Sequence, residues 1–181
     1  MNSSYNNKIN FGDIISAITF LKKPQKIVEC GILEGYSLSK FIENSSSNTQ
    51  IVAYDIFDKF NGNHAIKDKI FQQFNMYDNV NIYYGDFYSV YKNHNDKSID
   101  ILHIDIANNG DVCEFMFQNY LDKVKDNGIV LMEGGSEERD NIEWMIKYNK
   151  PKIKPVLKKY CENYDIKTIG KIPSITIIKK K

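Results

Sequence analysis

The chain has 181 residues and a formal charge of +1, from 24 Lys plus Arg against 23 Asp plus Glu. That length suits one folding unit, and 42% hydrophobic with 13% aromatic residues excludes a disordered chain. Near-neutrality argues against a dedicated nucleic-acid binder, which carries a basic field, and leaves small ligands open.

Lys, Asn, Ile and Tyr together make 81 of the 181 residues, and their codons are A/T-rich, so single Lys or Asn residues carry little weight. Arg139, by contrast, is the only arginine. Met1–Asn10 is polar and shows no secretory signal. No apolar run approaches the roughly 18 residues of a membrane span. Cys30, Cys113 and Cys161 lack any C-x-x-C spacing and read as free thiols. A cytoplasmic protein with no membrane and no nucleic-acid partner is expected, and a homodimer stays open.

Phe11, Ile14, Ile15, Ile18 and Leu21 follow a helical period and predict an N-terminal helix over about 11–22. A strand follows from Ile27 to Cys30–Gly31, then a helix after Gly35 carrying Leu38, Phe41 and Ile42. Asn44–Asn48 reads as a loop, and Ile51–Phe57 as the second strand. Ile66, Ile70, Phe71 and Phe74 give a helix, and Val80–Tyr84 the third strand. Ile99–Asp105 is the fourth, followed by a helix carrying Phe115, Met116, Tyr120, Leu121 and Val124. Asp126-Asn127-Gly128 predicts a turn into a fifth strand, Ile129–Met132. Ile142, Met145 and Ile146 suggest a short helix. Pro151 and Pro155 interrupt the chain before another helix at Val156–Tyr160. Tyr164–Ile169 and Ser174–Ile178 close the chain as a hairpin across Gly170–Pro173. Such alternation predicts right-handed crossovers and a seven-stranded, mostly parallel sheet with helices on both faces and an antiparallel last strand. Ligands of these sheets bind at the C-terminal strand ends.

Those strand ends hold the candidate site residues. Glu29-Cys30-Gly31-Ile32-Leu33-Glu34-Gly35-Tyr36-Ser37 spaces its glycines G-x-x-x-G. This is neither the G-x-G-x-x-G of dinucleotide folds nor a phosphate-loop motif, which disfavours a nicotinamide enzyme. The glycines allow a tight turn and close approach of a ligand, and the next helix offers free N–H groups to an anion. A plain β–α turn needs the same glycines. Asp55 is placed to accept ribose hydroxyls, or simply opens a loop. Asp86 can bond an exocyclic amine or cap a helix, and Phe87 can cover a base. Asp105 can meet a cationic amine, a metal or a substrate proton. His103 shares its face and is either a base or a hydrogen-bonded core residue. Glu133 reaches the same edge. Arg139 clamps an anionic substrate or pairs with Glu138 or Asp140.

The run from Glu29 to Ser37 is similar to the E-h-G-x-x-x-G-x-S first motif of class I S-adenosylmethionine-dependent methyltransferases. The chain most resembles the small O-methyltransferases of the catechol and macrocin types. Asp55, Gly85-Asp86, Asp105 and Asp126–Leu131 follow that family's order, over about Ile27–Glu133. The resemblance implies a Rossmann-like doubly wound α/β fold. It implies a cofactor half over about 26–105 and a substrate-side half over 106–181. It further implies S-adenosylmethionine as cofactor and methyl transfer to a small-molecule acceptor, with a hydroxyl as the expected target. N-methylation, cofactor cleavage or a non-catalytic binding domain are the alternatives.

By position, Glu29, Gly31, Leu33, Gly35, Tyr36 and Ser37 would hold the methionine portion, Asp55 the ribose, and Ile56 the adenine face. Asp86 and Phe87 would frame the adenine edge, and Asp105 would contact the methionine amine or a divalent metal. Asp105, Glu133 and His103 are the candidate bases. Trp144 and Tyr148 are candidates for covering an apolar acceptor, beside Arg139, with core packing the equal alternative for Trp144. Metal-dependent relatives carry Asp-Asn or Asp-Asp at the end of strand five, where this chain reads Glu133-Gly134. Mg²⁺, if used, would rest on Asp105 and Glu133, with water in place of the missing ligand. Substrate contacts are expected from the N-terminal helix, the Asn108–Asp111 loop and the Gly134–Tyr148 segment.

Overall fold

The computed structural model describes residues 10–59 and 65–181. The reading of the polar N-terminus, up to residue 9, lies outside the described residues. Helix α1 (Phe11–Lys22) begins where Asn10 Oδ1 accepts the Gly12 N–H at 3.0 Å. The order then runs β1 (Lys26–Cys30), α2 (Tyr36–Asn44), β2 (Gln50–Asp55), α3 (Lys67–Phe74) and β3 (Val80–Tyr84). It continues through α4 (Phe87–Val90), β4 (Ile99–Ile104), α5 (Gly110–Asn119) and β5 (Val124–Glu133). It ends with α6 (Glu143–Lys147), α7 (Ile153–Tyr160), β6 (Tyr164–Gly170) and β7 (Ser174–Lys180).

The strands form one sheet in the order β3-β2-β1-β4-β5-β7-β6. Pairings among the first five are parallel, and β7 runs antiparallel to both β5 and β6. The expected Rossmann-like sheet is therefore present, with its last strand reversed. Alternation along each strand divides two apolar layers. Val28, Val52, Leu102, Val130 and Ile178 face α5 and α7, while Ile27, Ile51, Ile101, Leu131 and Ile175 face α1, α2 and α3. Central strands buried on both sides explain why the sequence shows short continuous apolar runs.

Several boundaries differ from the sequence reading. Phe57 leaves β2 and opens a 3₁₀ turn, Phe57–Lys59, with φ at 45°. Helix α5 stops at Asn119, and Val124 belongs to β5. Asp126-Asn127-Gly128 does not start the strand but bulges inside it. Ile99 pairs with Val124 and Ile101 with Ile129, so both flanks stay on β4 while the turn-forming residues loop out. Pro155 sits in the first turn of α7, where a missing N–H is tolerated. Asp140 caps that helix, accepting from the Ile153 and Lys154 amides at 2.8 Å each.

Candidate active site at the carboxyl ends of the strands

Glu29 lies opposite His103 in the β1–β4 register, and Glu133 closes β5. Their parity matches Ile27, Ile101 and Leu131, so these side chains emerge on the α1–α3 side of the sheet. The turn after β1 is pulled tight. Gly31 N–H donates to Tyr54 C=O at 2.8 Å, and Asp105 N–H donates to Cys30 C=O at 2.9 Å. A Cβ on Gly31 would lie 1.9 Å from the Asp105 carbonyl oxygen, and its φ is +92°, so this position admits glycine alone.

Asp55 is buried and turned toward that loop. Its Oδ2 accepts the amides of Ile32 (2.8 Å) and Leu33 (3.3 Å), and its Oδ1 accepts the Phe57 amide (2.6 Å). It thus braces the glycine turn from β2. Leu33 is held in the left-handed region, φ 49°, while its side chain stays exposed. Helix α2 then starts at Gly35 with no side-chain cap, leaving its first amides available.

Beneath the turn, Glu29 is wholly buried. Its Oε1 accepts the Ser37 hydroxyl and meets His103 Nδ1 at 2.9 Å, while Oε2 has no partner. Burial works to lower the His103 pKa, but the hydrogen bond and charge of Glu29, with the charge of Asp105, outweigh it and hold it raised. His103 also packs edge-on against Phe41.

A cavity of about 770 Å³ opens above these groups, within the ~300–1,000 Å³ common for small-ligand sites. At one end lie the Gly31 turn, Leu33, Tyr36, Ser37, Asp55, Ile56, Asp86 and Phe87. His103, Asp105 and Glu133 line its middle. Phe11 and Ile15 of α1, Asn109, Lys150, Pro173 and Ile175 close the other end. Glu29 and Gly35 sit behind this wall rather than in it. Asp86 caps α4, its Oδ1 accepting the Tyr88 amide at 3.0 Å, and remains exposed. Phe87 is buried and stacked on Tyr120, ring centres 4.9 Å apart, so only part of it faces the cavity.

The expected acceptor wall differs. None of residues 134–148 lines the cavity; Lys150 and the start of β7 do so instead. Helix α6 has only five residues and buries Met145, so Trp144 stays half-buried against Tyr148, 6.4 Å between ring centres. Sequence reasoning missed Tyr54, Tyr88, Lys150, Pro173 and Ile175. Tyr88 adjoins Asp86 and was within reach of the strand-end argument. The β7 residues depend on strand order, which local pattern does not encode.

Arg139 pairs with neither Glu138 nor Asp140. Its Nε and Nη2 donate to the two oxygens of Glu133 at 2.6 and 2.9 Å, while Nη1 is buried without a partner. Glu138 instead meets Lys171 at 3.0 Å. Burial raises the Glu133 pKa; Arg139 opposes this, and Asp105 and Asp140 add to it. Among the described residues, no group of three or more His, Cys, Asp or Glu could hold a metal ion.

Residues 28–133 match a family model described as a methyltransferase domain. The chain belongs to this family of class I S-adenosylmethionine-dependent methyltransferases. No curated protein sequence matches it. Solved structures share the fold of this methyltransferase at low identity. The O-methyltransferase from Bacillus cereus, in complex with S-adenosylhomocysteine, is 17% identical with a TM-score of 0.70, covering 98% of this chain and 84% of that one. The O-methyltransferase TomG from Streptomyces achromogenes, involved in tomaymycin synthesis and solved with S-adenosylmethionine, is 13% identical with a TM-score of 0.69, covering 96% and 82%. A candidate rRNA methylase from Clostridium thermocellum is 13% identical with a TM-score of 0.70, covering 97% and 100%. No helix among the described residues is long and apolar enough to cross a membrane.

Proposed function

We propose that this methyltransferase transfers the methyl group of S-adenosylmethionine to a hydroxyl of a small molecule in the cytoplasm. The observation that carries this reading is the continuous cavity. It runs from the glycine turn, past Asp105, to an apolar end made by Phe11, Ile15, Pro173 and Ile175. The residues at its first end suit the cofactor. The uncapped α2 N-terminus favours a carboxylate, and the buried Glu29 charge behind Ser37 favours a cationic amine on the cavity side. Asp55 stands at the ribose position, with Ile56 and Phe87 against the adenine. When bound, S-adenosylmethionine supplies a methyl group on a positively charged sulfur, already activated for displacement.

The protein's own part is to hold the acceptor and remove its proton. Asp105 is exposed in the cavity wall between the two ends and is assigned as the proton acceptor. His103 commits Nδ1 to Glu29, and Glu133 commits both oxygens to Arg139, so each is less suited to that task. The apolar far wall, with Lys150 at its edge, suits an organic acceptor larger than a simple alcohol.

Calorimetry with S-adenosylhomocysteine tests the cofactor half. Wild type is expected to bind, and Asp55→Ala to bind at least about tenfold more weakly, because the Ile32 and Leu33 amides lose their brace. Release of S-adenosylhomocysteine with hydroxylated small molecules, and none with rRNA fragments, tests the acceptor half. The reverse pattern would overturn the small-molecule reading.

A further inference from the structure

The resemblance to metal-dependent relatives raises the question of what stands at the end of β5. A hard divalent cation asks for several free oxygen ligands in near-octahedral array. Both oxygens of Glu133 are taken by the Arg139 fork. Gly134 offers no side chain, and a Cβ there would lie 2.6 Å from Ile153 Cδ1. Its carbonyl accepts the Thr176 hydroxyl at 2.6 Å. Asn108 Nδ2 donates to the carbonyls of Ile104 and Glu133 at 3.0 Å each, turning donors rather than an acceptor that way. Asp105 alone remains, and a single free carboxylate does not fit Mg²⁺.

The arginine is also held in advance. Gly134 and Gly135, with φ of +100° and +105°, reverse the chain after β5. The Ser136 hydroxyl accepts the Arg139 amide at 2.9 Å, and Asp140, in the 3₁₀ turn Arg139–Asn141, ties that turn to α7. Both partners are shielded, with side-chain exposures of 10% for Arg139 and 20% for Glu133. A bidentate, shielded fork is the strong form of such a pair.

From this geometry we propose that Arg139 takes the place of a divalent cation at the end of β5, making this a metal-independent methyltransferase. Arg139 does not line the cavity, so it acts through Glu133 as a positioning residue. It neutralises Glu133, whose charge acts on Asp105, and the acceptor hydroxyl binds without chelation. The substrate class thereby widens to acceptors with a single hydroxyl, since no second oxygen is needed to complete a metal shell. The inference rests on the methyltransferase reading, and its test separates the two.

Mn²⁺ binding is followed by electron paramagnetic resonance on the full chain with S-adenosylhomocysteine, while calorimetry measures S-adenosylhomocysteine itself. Wild type is expected to show no saturable Mn²⁺ site. Arg139→Ala, which frees the Glu133 carboxylate, is expected to gain Mn²⁺ affinity by about tenfold or more, and Arg139/Glu133→Ala/Gln to lose that gain. Arg139→Gln, which keeps bulk without charge, serves if the alanine variant does not fold. A wild-type Mn²⁺ site abolished by Glu133→Gln overturns the proposal. So does a folded, S-adenosylhomocysteine-binding Arg139 variant that gains nothing. Failure of wild type to bind S-adenosylhomocysteine strikes the methyltransferase reading instead, whatever the Mn²⁺ result.

Discussion

Strand β4 carries an aspartate at each end, and the two sit in opposite kinds of surroundings. Asp100, near its start, is fully engaged. Its Oδ2 accepts the amides of Gln25 (2.9 Å) and Lys26 (3.0 Å) and the Lys125 ammonium (2.9 Å). Burial alone would raise its pKa, but those donors outweigh it and hold it below the usual carboxylate range. Asp105, just past the other end, is exposed in the cavity. Around it, Glu29 Oε2 and Arg139 Nη1 are buried without partners, and the Glu133 pKa is raised. At the lower edge Asp100 is satisfied by its own chain, although His94, near Lys26 and Lys123, keeps both buried ring nitrogens without partners; at the upper edge Glu29 and Arg139 each keep one such atom. Unpartnered buried groups point to a site only where they adjoin a cavity, as they do at the upper edge.

The largest effect should come from breaking the satisfied end. Asp100→Ala strands two strand-start amides and Lys125, and should cost about 3 kcal/mol, a Tm drop of roughly 10 °C. S-adenosylhomocysteine affinity should not change. The sign with pH follows from the lowered pKa. The stabilisation is present above the unfolded value near ~3.9 and is lost as pH falls through the folded value. Thermal melts of wild type and variant should therefore converge in strong acid. A large loss of cofactor binding in Asp100→Ala would erase the contrast between the two ends.

Much of this architecture is legible in sequence, for a physical reason. Parallel strands buried on both faces appear as apolar runs, and their last residues fall at one edge, so Glu29, Asp55, Asp105 and Glu133 could be placed without coordinates. Asp126-Asn127-Gly128 misled because Asn-Gly serves a bulge as well as a turn, and only pairing with Ile99 and Ile101 decides between them. Helix α4, four residues long, is too short to show a period. The Glu133–Arg139 fork was invisible because it depends on how two left-handed glycines redirect the chain. Trp144 was misjudged because a five-residue helix gives no reliable face.

A middle-sized effect tests the buried pair at the upper end. Glu29 and His103 form a shielded contact in which His103 is pushed toward its charged form. A raised histidine pKa stabilises fully below the unfolded value near ~6.5, and that contribution is lost as pH rises through the folded value. His103→Gln keeps a donor for Glu29 but no charge. It should be less stable than wild type by about 1.5 kcal/mol at pH 6, with the gap closing as pH rises. A gap that widens with pH would mean that the pair is neutral in the folded protein.

The smallest effect separates strain from binding at the glycine turn. Leu33 holds a left-handed backbone that costs a non-glycine residue about 1 kcal/mol. Its side chain is 53% exposed yet lines the cavity. The Asp55 carboxylate holds the Leu33 amide at 3.3 Å, and a bound ligand covering the exposed side chain adds to that compensation. Leu33→Gly should relieve the backbone and raise stability by somewhat under ~1 kcal/mol, a Tm gain of about 2 °C. It should at the same time weaken S-adenosylhomocysteine binding by about fivefold, through lost apolar contact. Opposite signs in the two measurements would tie the strain to the ligand. A variant both more stable and tighter-binding would show that Leu33 is strained for no functional end.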